Sequence, residues 1–300
     1  MALTHQLDRR GTPVREFFEA RFPAKQFKPL SAAWYELVRA APVVCPSPQG
    51  VNLGTIGTAF DYRARICWAP LVWRQTVAAL GREQLIAMGR VELGLVADEV
   101  GAEAERLSGA QAAVDASEEE RLCRACYALA LYEQFFRTFA AARTSPLLEL
   151  SDDASLEDVL ALAPDVAVDD LSSMAGLLCA QMPDLIRGQA TLNPTFDGSH
   201  AIGGADADLI VDGLLVELKT TSQDSFERVD HVYQLLGYAL LDYSNVYAID
   251  RVAVYLARRG VLASWEINQL LETCCTTRDW AELQGEFRSA VDEVAARLLA

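Results

Sequence analysis

Asp206, Asp208, Glu217 and Lys219 are the residues best placed by type and spacing to do chemistry together. They sit in the stretch Ala205–Thr220, whose centre is the dipeptide Asp212-Gly213. Asp-Gly supplies the two positive-φ residues of a type I′ turn, the strongest short-range hairpin signal. With that turn, Val211 faces Leu214, Ile210 faces Leu215, Leu209 faces Val216 and Asp208 faces Glu217. The two-residue period of a strand then puts Asp206, Asp208, Glu217 and Lys219 on one face and Ala207, Leu209, Val216 and Leu218 on the other. Like charges directly opposite repel, so paired carboxylates on a half-buried ladder call for a cation. Oxygen-only donors beside a lysine suit Mg²⁺, with Mn²⁺ as substitute, better than zinc. Asp206 is the alternative ligand, opposite Lys219. A solvated hairpin face could carry the same charges, but here its reverse side is apolar, and Lys219 is one of three lysines in the chain.

These residues need elements to hold them. Residues Asp230–Tyr243 read as an amphipathic helix on which Gln234 and Tyr238, four apart, share a face. Segments near Arg251–Leu256 and Val261–Ile267 read as strands that complete a sheet begun by TLNPTF after Gly188. Upstream the pattern is helical: Thr12–Phe22 with Pro13 at its first position, Thr55–Trp73 interrupted by Pro70, and Ala- and Leu-rich segments near Leu71–Gly101 and Glu118–Ala142. Residues Ser145–Asp170 read as an acidic connector with one short helix near Leu156–Leu162.

Charge is divided unevenly. Residues 1–90 hold 12 Lys and Arg against 6 Asp and Glu, a net of +6, whereas residues 91–300 hold 14 against 36, a net of −22; together they give the chain's −16. A basic track for a polyanion is therefore expected in the N-terminal part, and the acidic remainder suits a protein partner. No apolar run approaches the roughly 18 residues of a membrane span, and MALTHQLDRRG has no apolar leader, so the expected location is cytoplasmic with no membrane partner. Seven cysteines without an export signal point to reduced thiols.

The pattern Asp208, then Glu217-Leu218-Lys219, then Gln234-Leu235-Leu236-Gly237-Tyr238 resembles the D…(D/E)xK…QxxxY signature of the PD-(D/E)xK nuclease superfamily, in its RecB/Cas4-like branch. The likeness covers about residues 192–268. A further fragment, Gly57-Thr58-Ala59-Phe60-Asp61, resembles the family's first-helix motif, where a His four residues after the Gly joins the metal shell; this chain has Asp61 there, either as a ligand or as a helix residue paired with arginine.

The resemblance implies an α/β (α+β) restriction-endonuclease-like core, a central mixed β-sheet flanked by helices. Residues 1–190 would be a mainly helical N-terminal part with a first core helix near 55–69, residues 191–268 the catalytic core and 269–300 a C-terminal helix. The implied activity is Mg²⁺-dependent hydrolysis of DNA phosphodiesters, in DNA repair or antiviral defence. Asp208 and Glu217 would hold the metal, joined by Asp61 or Asp206, Lys219 would orient the attacking water, and Gln234 and Tyr238 would brace Lys219. Arg63 and Arg65 would contact phosphate or form surface salt bridges, and His200 could approach the site from its loop. Some relatives carry an iron–sulfur cluster on a late cysteine trio that this chain lacks, and Cys123-x-x-Cys126 reads as two buried helical thiols, so no cluster is expected. The alternative is a nuclease-fold subunit acting mainly by binding a protein partner in a nucleic-acid-processing complex; an accidental motif match in a structural protein is a third reading.

Overall fold

Asp212 and Gly213 both take positive φ, 47° and 79°, as the type I′ turn requires. The hairpin they close pairs Val211 with Leu214, Ile210 with Leu215 and Leu209 with Val216, the expected register. This is seen in a computed structural model that describes residues 3–109, 115–137, 144–227 and 229–299. The strands are β1 (Ala190–Leu192), β2 (Leu209–Val211), β3 (Leu214–Lys219), β4 (Arg251–Leu256) and β5 (Val261–Glu266), ordered β1-β2-β3-β4-β5 in one sheet. Among the described strands β3 and β4 run parallel and the other neighbours are antiparallel, so the sheet is mixed as expected.

The helices are α1 (Leu3–Asp8), α2 (Pro13–Arg21), α3 (Lys28–Ala40), α4 (Leu53–Arg65), α5 (Val77–Ala87), α6 (Val91–Gly109), α7 (Ala116–Arg137), α8 (Leu156–Leu160), α9 (Asp165–Gln181), α10 (Pro183–Arg187), α11 (Gln234–Leu241), α12 (Ile267–Cys274) and α13 (Trp280–Leu299). They cover both faces of the sheet. Alternation along the strands decides which residue meets which layer: Leu209, Val211, Leu214, Val216, Ala253 and Tyr255 pack with α4 to α9, while Ile210, Leu215, Val252, Val254 and Leu256 pack with α1 to α3 and α11 to α13. The described helices that precede residue 190 contribute to both layers. Among the described residues no helix is long and apolar enough to cross a membrane.

Several boundaries differ from the sequence pattern. The expected strand Ala205–Val211 shrinks to the three residues of β2, and Asp206 instead makes an isolated bridge to Thr195. Leu71–Gly101 is broken at Gly89, whose φ of 86° ends α5 and lets α6 start again. The end of the expected connector is already the start of the 17-residue α9, which runs from Asp165 to Gln181. Its first turn carries Asp165, which suits the positive helix terminus, and Val168, Leu171, Ala175 and Leu178 form the buried stripe that a reading for acidity overlooks. The C-terminal helix is two helices, because the Asp279 carboxylate takes the Glu282 N–H at 3.1 Å and restarts the chain after Cys275-Thr276-Thr277. Of the helix expected to Ala142, residues 138–142 lie outside the described residues.

Arg258, only 1% exposed, joins the layers. It follows β4 and bonds Asp170 of α9 through both terminal nitrogens, at 2.7 and 2.8 Å, while donating to the carbonyls of Thr220 and Cys45 at 2.5 and 3.2 Å. The residue after Lys219 is thereby pinned from the far layer. Removing one partner of a buried pair strands the other charge, so Arg258→Met should cost about 3–5 kcal/mol, and Arg258→Met with Asp170→Leu should recover most of that. Urea unfolding of the two variants checks this; equal losses in both would refute it.

Candidate active site

The site begins where the hairpin ladder stops. β2 starts at Leu209, whereas β3 continues to Lys219, so Leu218 has no strand partner on the β2 side. The Asp208 carboxylate fills the gap, its Oδ2 accepting the Leu218 N–H at 2.6 Å. The expected facing of Asp208 and Glu217 as a ladder pair is therefore corrected. Ala207 also packs in the opposite layer from Leu209, so the alternation does not extend through residues 205–208. Asp208 nevertheless ends beside Glu217, because a side chain that caps the ladder must lie against β3.

Glu217, Lys219, Gln234 and Tyr238 form one network. Lys219 Nζ donates to Glu217 Oε1 at 3.0 Å and to Gln234 Oε1 at 3.3 Å. Gln234 Nε2 in turn donates to Glu217 Oε1 at 2.8 Å and meets the Tyr238 hydroxyl at 3.1 Å. Gln234 and Tyr238 share a face of α11 as the spacing predicts, preceded by a single π-helical turn over Val229–Tyr233. Glu217 Oε1 is thus doubly engaged, whereas its Oε2 is buried with no hydrogen-bond partner.

The first-helix fragment reaches the same place. Asn52 caps α4 by accepting the Gly54 and Thr55 N–H groups, so the helix starts four residues before Gly57. A Cβ on Gly57 would stand 3.3 Å from Thr220 Oγ1, and this close approach sets α4 against the end of β3. One turn on, Asp61 pairs with Arg65 and leaves its Oδ1 buried and unbonded. Burial, outweighing the Arg65 charge and helped by Glu133 and Glu217, pushes the Asp61 carboxyl up to about 6. Asp208 stands well above the ordinary carboxylate range through burial, then the charges of Glu217 and Asp61.

Sequence reasoning missed Glu133 and Arg137, which α7 brings here. Glu133 accepts from the Tyr62 hydroxyl at 2.6 Å and from Arg137 Nε at 2.6 Å. Their i,i+4 acidic–basic spacing was visible, yet nothing in it distinguishes a site from an ordinary surface pair. A cleft of ≈ 730 Å³ opens beside them, walled by Asp61, Arg65, Phe136, Arg137, His200 and Asp206 among others. His200 stands exposed on its rim. Asp206 is at the cleft, 3.7 Å from Arg137, not opposite Lys219 as the extended register would have it.

Two of the expected phosphate contacts are otherwise engaged. Arg63 is turned into the helical layer, bonded to both Glu119 oxygens at 2.9 and 2.8 Å, and Arg65 is held by Asp61. More broadly, Arg15, Arg21, Arg63, Arg65, Arg74, Arg82 and Arg90, seven of the twelve basic residues before position 91, form ion pairs. Arg9, Arg10, Lys25, Lys28 and Arg39 are exposed. His231 is a packing residue: it stacks on Trp34 at 4.3 Å, accepts the Glu227 N–H on Nδ1 at 3.0 Å, and is driven down to about 4 by burial and the nearby Lys219. Cys123 and Cys126 are buried in α7, with burial pushing the Cys126 thiol up to about 12.

Among the described residues no group of three or more His, Cys, Asp or Glu side chains is arranged to hold a metal ion. Asp61, Asp208 and Glu217 are coupled through their charges without forming a closed shell. The two orphaned oxygens, Asp61 Oδ1 and Glu217 Oε2, still mark an unmet demand for positive charge, since a buried carboxylate oxygen without a donor is costly. The donor set fits Mg²⁺, which is usually held by one or two carboxylates with water and substrate phosphate completing its shell.

Asp208 can be tested on stability alone. Asp208→Asn keeps an acceptor for the Leu218 N–H and removes repulsion, so it should raise the melting temperature; Asp208→Ala strands the N–H and should cost roughly 1–2 kcal/mol. The sign with pH follows from a folded pKa above the unfolded one. The favourable contribution of this carboxyl is present below the unfolded value and lost as pH rises through the folded value, so the advantage of Asp208→Asn should widen with rising pH. Thermal melts across pH 4–8 check it, and a gap that narrows would refute the assignment. No family model, curated protein or solved structure matches the chain.

Proposed function

We propose that the chain is a divalent-metal-dependent nuclease that hydrolyses DNA phosphodiesters on a restriction-endonuclease-like core, in the cytoplasm and in repair or antiviral defence. The observation that carries this reading is the pairing of the Glu217–Lys219–Gln234–Tyr238 network with Asp208 and Asp61, in which Glu217 Oε2 and Asp61 Oδ1 lie buried without donors.

Asp208 and Glu217, with Asp61 as third donor, would hold Mg²⁺ or Mn²⁺, which when bound supplies Lewis-acid polarisation of the phosphate and a lowered water pKa. The chain's own residues do the rest. Gln234 fixes the Lys219 ammonium beside Glu217, so that Nζ can orient the attacking water and offset charge developing on a non-bridging phosphate oxygen. Tyr238 holds the Gln234 amide in the orientation that lets it bond Glu217 and Lys219 at once. A strand lying in the cleft would pass Arg137 and His200 on its rim and bring its backbone to Asp61 and Arg65.

A second reading, a nuclease-fold subunit acting mainly with a protein partner, draws support from the ion pairs that occupy seven N-terminal basic residues and from the −22 net charge of residues 91–300. Such a protein gains DNA affinity only when the partner is added.

Purified protein should degrade labelled DNA with Mg²⁺ or Mn²⁺ and not with chelator, and Lys219→Ala or Glu217→Gln should lower the rate by about 10²–10³-fold with the far-ultraviolet spectrum unchanged. Metal-independent cleavage, or full activity in both variants, would overturn the proposal. Titrating DNA at several salt concentrations separates the two readings: tight, salt-sensitive binding by the isolated chain excludes the partner requirement.

A further inference from the structure

Away from the carboxylates, Cys67 and Cys179 lie 112 positions apart in the chain, yet their sulfurs are 3.5 Å apart. Cys67 follows the end of α4, and Cys179 is on the outer face of α9 and exposed. Both line a small cavity of ≈ 230 Å³ together with Arg63 and Ser108. Arg63 Nη1 is 3.9 Å from the Cys67 sulfur. Three things that a reactive thiol needs are thus assembled: an accessible sulfur, a neighbouring cation and a second thiol within reach.

We propose that Cys67 and Cys179 form a hydroperoxide-reactive dithiol, with Cys179 the attacking residue and Cys67 the resolving one. The roles follow from exposure: a small oxidant in the cavity meets Cys179 from solvent, while Cys67 is half-buried. The protonation pattern agrees. The contact with the Cys67 sulfur and the Arg63 charge, against partial burial and the charge of Glu119, bring Cys179 down to about 6, while Cys67 itself is raised. Both shifts run in the direction that favours Cys179 as the thiolate.

The chemistry balances with a hydroperoxide as oxidant. The Cys179 thiolate attacks the outer peroxide oxygen, an S–O bond forms, the O–O bond breaks, and the departing alkoxide or hydroxide takes a proton to become an alcohol or water. Cys67 then attacks the sulfenic sulfur, the S–S bond forms, and the S–O bond breaks as its oxygen leaves with the Cys67 proton as water. Two thiols are oxidised to one disulfide and one hydroperoxide is reduced. To reach the usual bond length of about 2.05 Å the sulfurs must close by roughly 1.5 Å, within reach of a side-chain rotation at the exposed Cys179. The disulfide would tie the end of α4, the helix that carries Asp61 and Arg65, to α9.

The inference does not depend on the hydrolytic reading, and its test needs no DNA. The full chain is treated with hydrogen peroxide at neutral pH, quenched, unfolded, and its seven thiols mapped by mass spectrometry. The expected result is loss of two thiols, those of Cys67 and Cys179, as one linked peptide that dithiothreitol releases. Cys67→Ser should leave Cys179 as a sulfenic acid trapped by dimedone, and Cys179→Ser should slow the first thiol loss by about tenfold or more. The wild-type map stands whether or not a variant folds. Loss of other cysteines first, or a wild-type Cys179 that accumulates as sulfenic acid with Cys67 still free, would overturn the proposal.

Discussion

The hydrogen bond from the Leu218 N–H to the Asp208 carboxylate decides the character of the whole sheet end. A two-stranded ladder that continued past Leu209 would satisfy Leu218 with backbone and leave no room for a charged cap. Because the ladder stops, a side chain must take the N–H, and the Asp208 carboxyl is the acceptor that reaches it. That choice brings a carboxylate against Glu217 in a half-buried setting. The rest of the site answers that imposed charge: Lys219 held between Glu217 and Gln234, Arg65 drawn onto Asp61, and Arg137 set between Glu133 and Asp206.

Elsewhere the molecule treats buried charge differently. Arg258 with Asp170, and Arg63 with Glu119, are bidentate, with every charged oxygen accounted for. Such pairs offset their desolvation by geometry. The carboxylates at the sheet end are not matched in this way, for Asp61 Oδ1 and Glu217 Oε2 accept nothing. The contrast within one chain separates ion pairs that hold elements together from a cluster left short of positive charge.

How much of this was legible in the sequence depended on whether a local rule governed it. Asp212-Gly213 determined the hairpin register because the positive φ values leave little choice, and Gln234 and Tyr238 were paired by helix periodicity alone. The rule failed one residue beyond β2, where alternation was extended through Asp206 although the chain turns to bridge Thr195. α9 was hidden by its acidic residues, and the fate of Arg63 was invisible because Glu119 is on another helix. Gly57 was noticed for its neighbours in the motif, whereas its physical reason, the approach to Thr220, needed the third dimension. Cys67 and Cys179 carry no spacing signal at all, being joined only by the packing of α4 on α9.

The separation of stability from chemistry follows from the same alternation. Along β3 the residues from Leu214 to Val216 are buried on both faces, and they meet Arg251, Val252 and Ala253 of β4 in the middle of the sheet. Folding is driven there, at roughly 1.5–3 kcal/mol for each large apolar side chain buried. The last residues of the strand, Glu217 and Lys219, face α11, whose own burial is secured by Leu235, Leu236 and Leu240. Polar groups at a strand end beside an apolar centre can therefore be strained, unsatisfied and mutually repelling without unfolding the sheet. That places the cluster where a fold can tolerate it, at the margin of a strand buried at its centre and beside an open cleft.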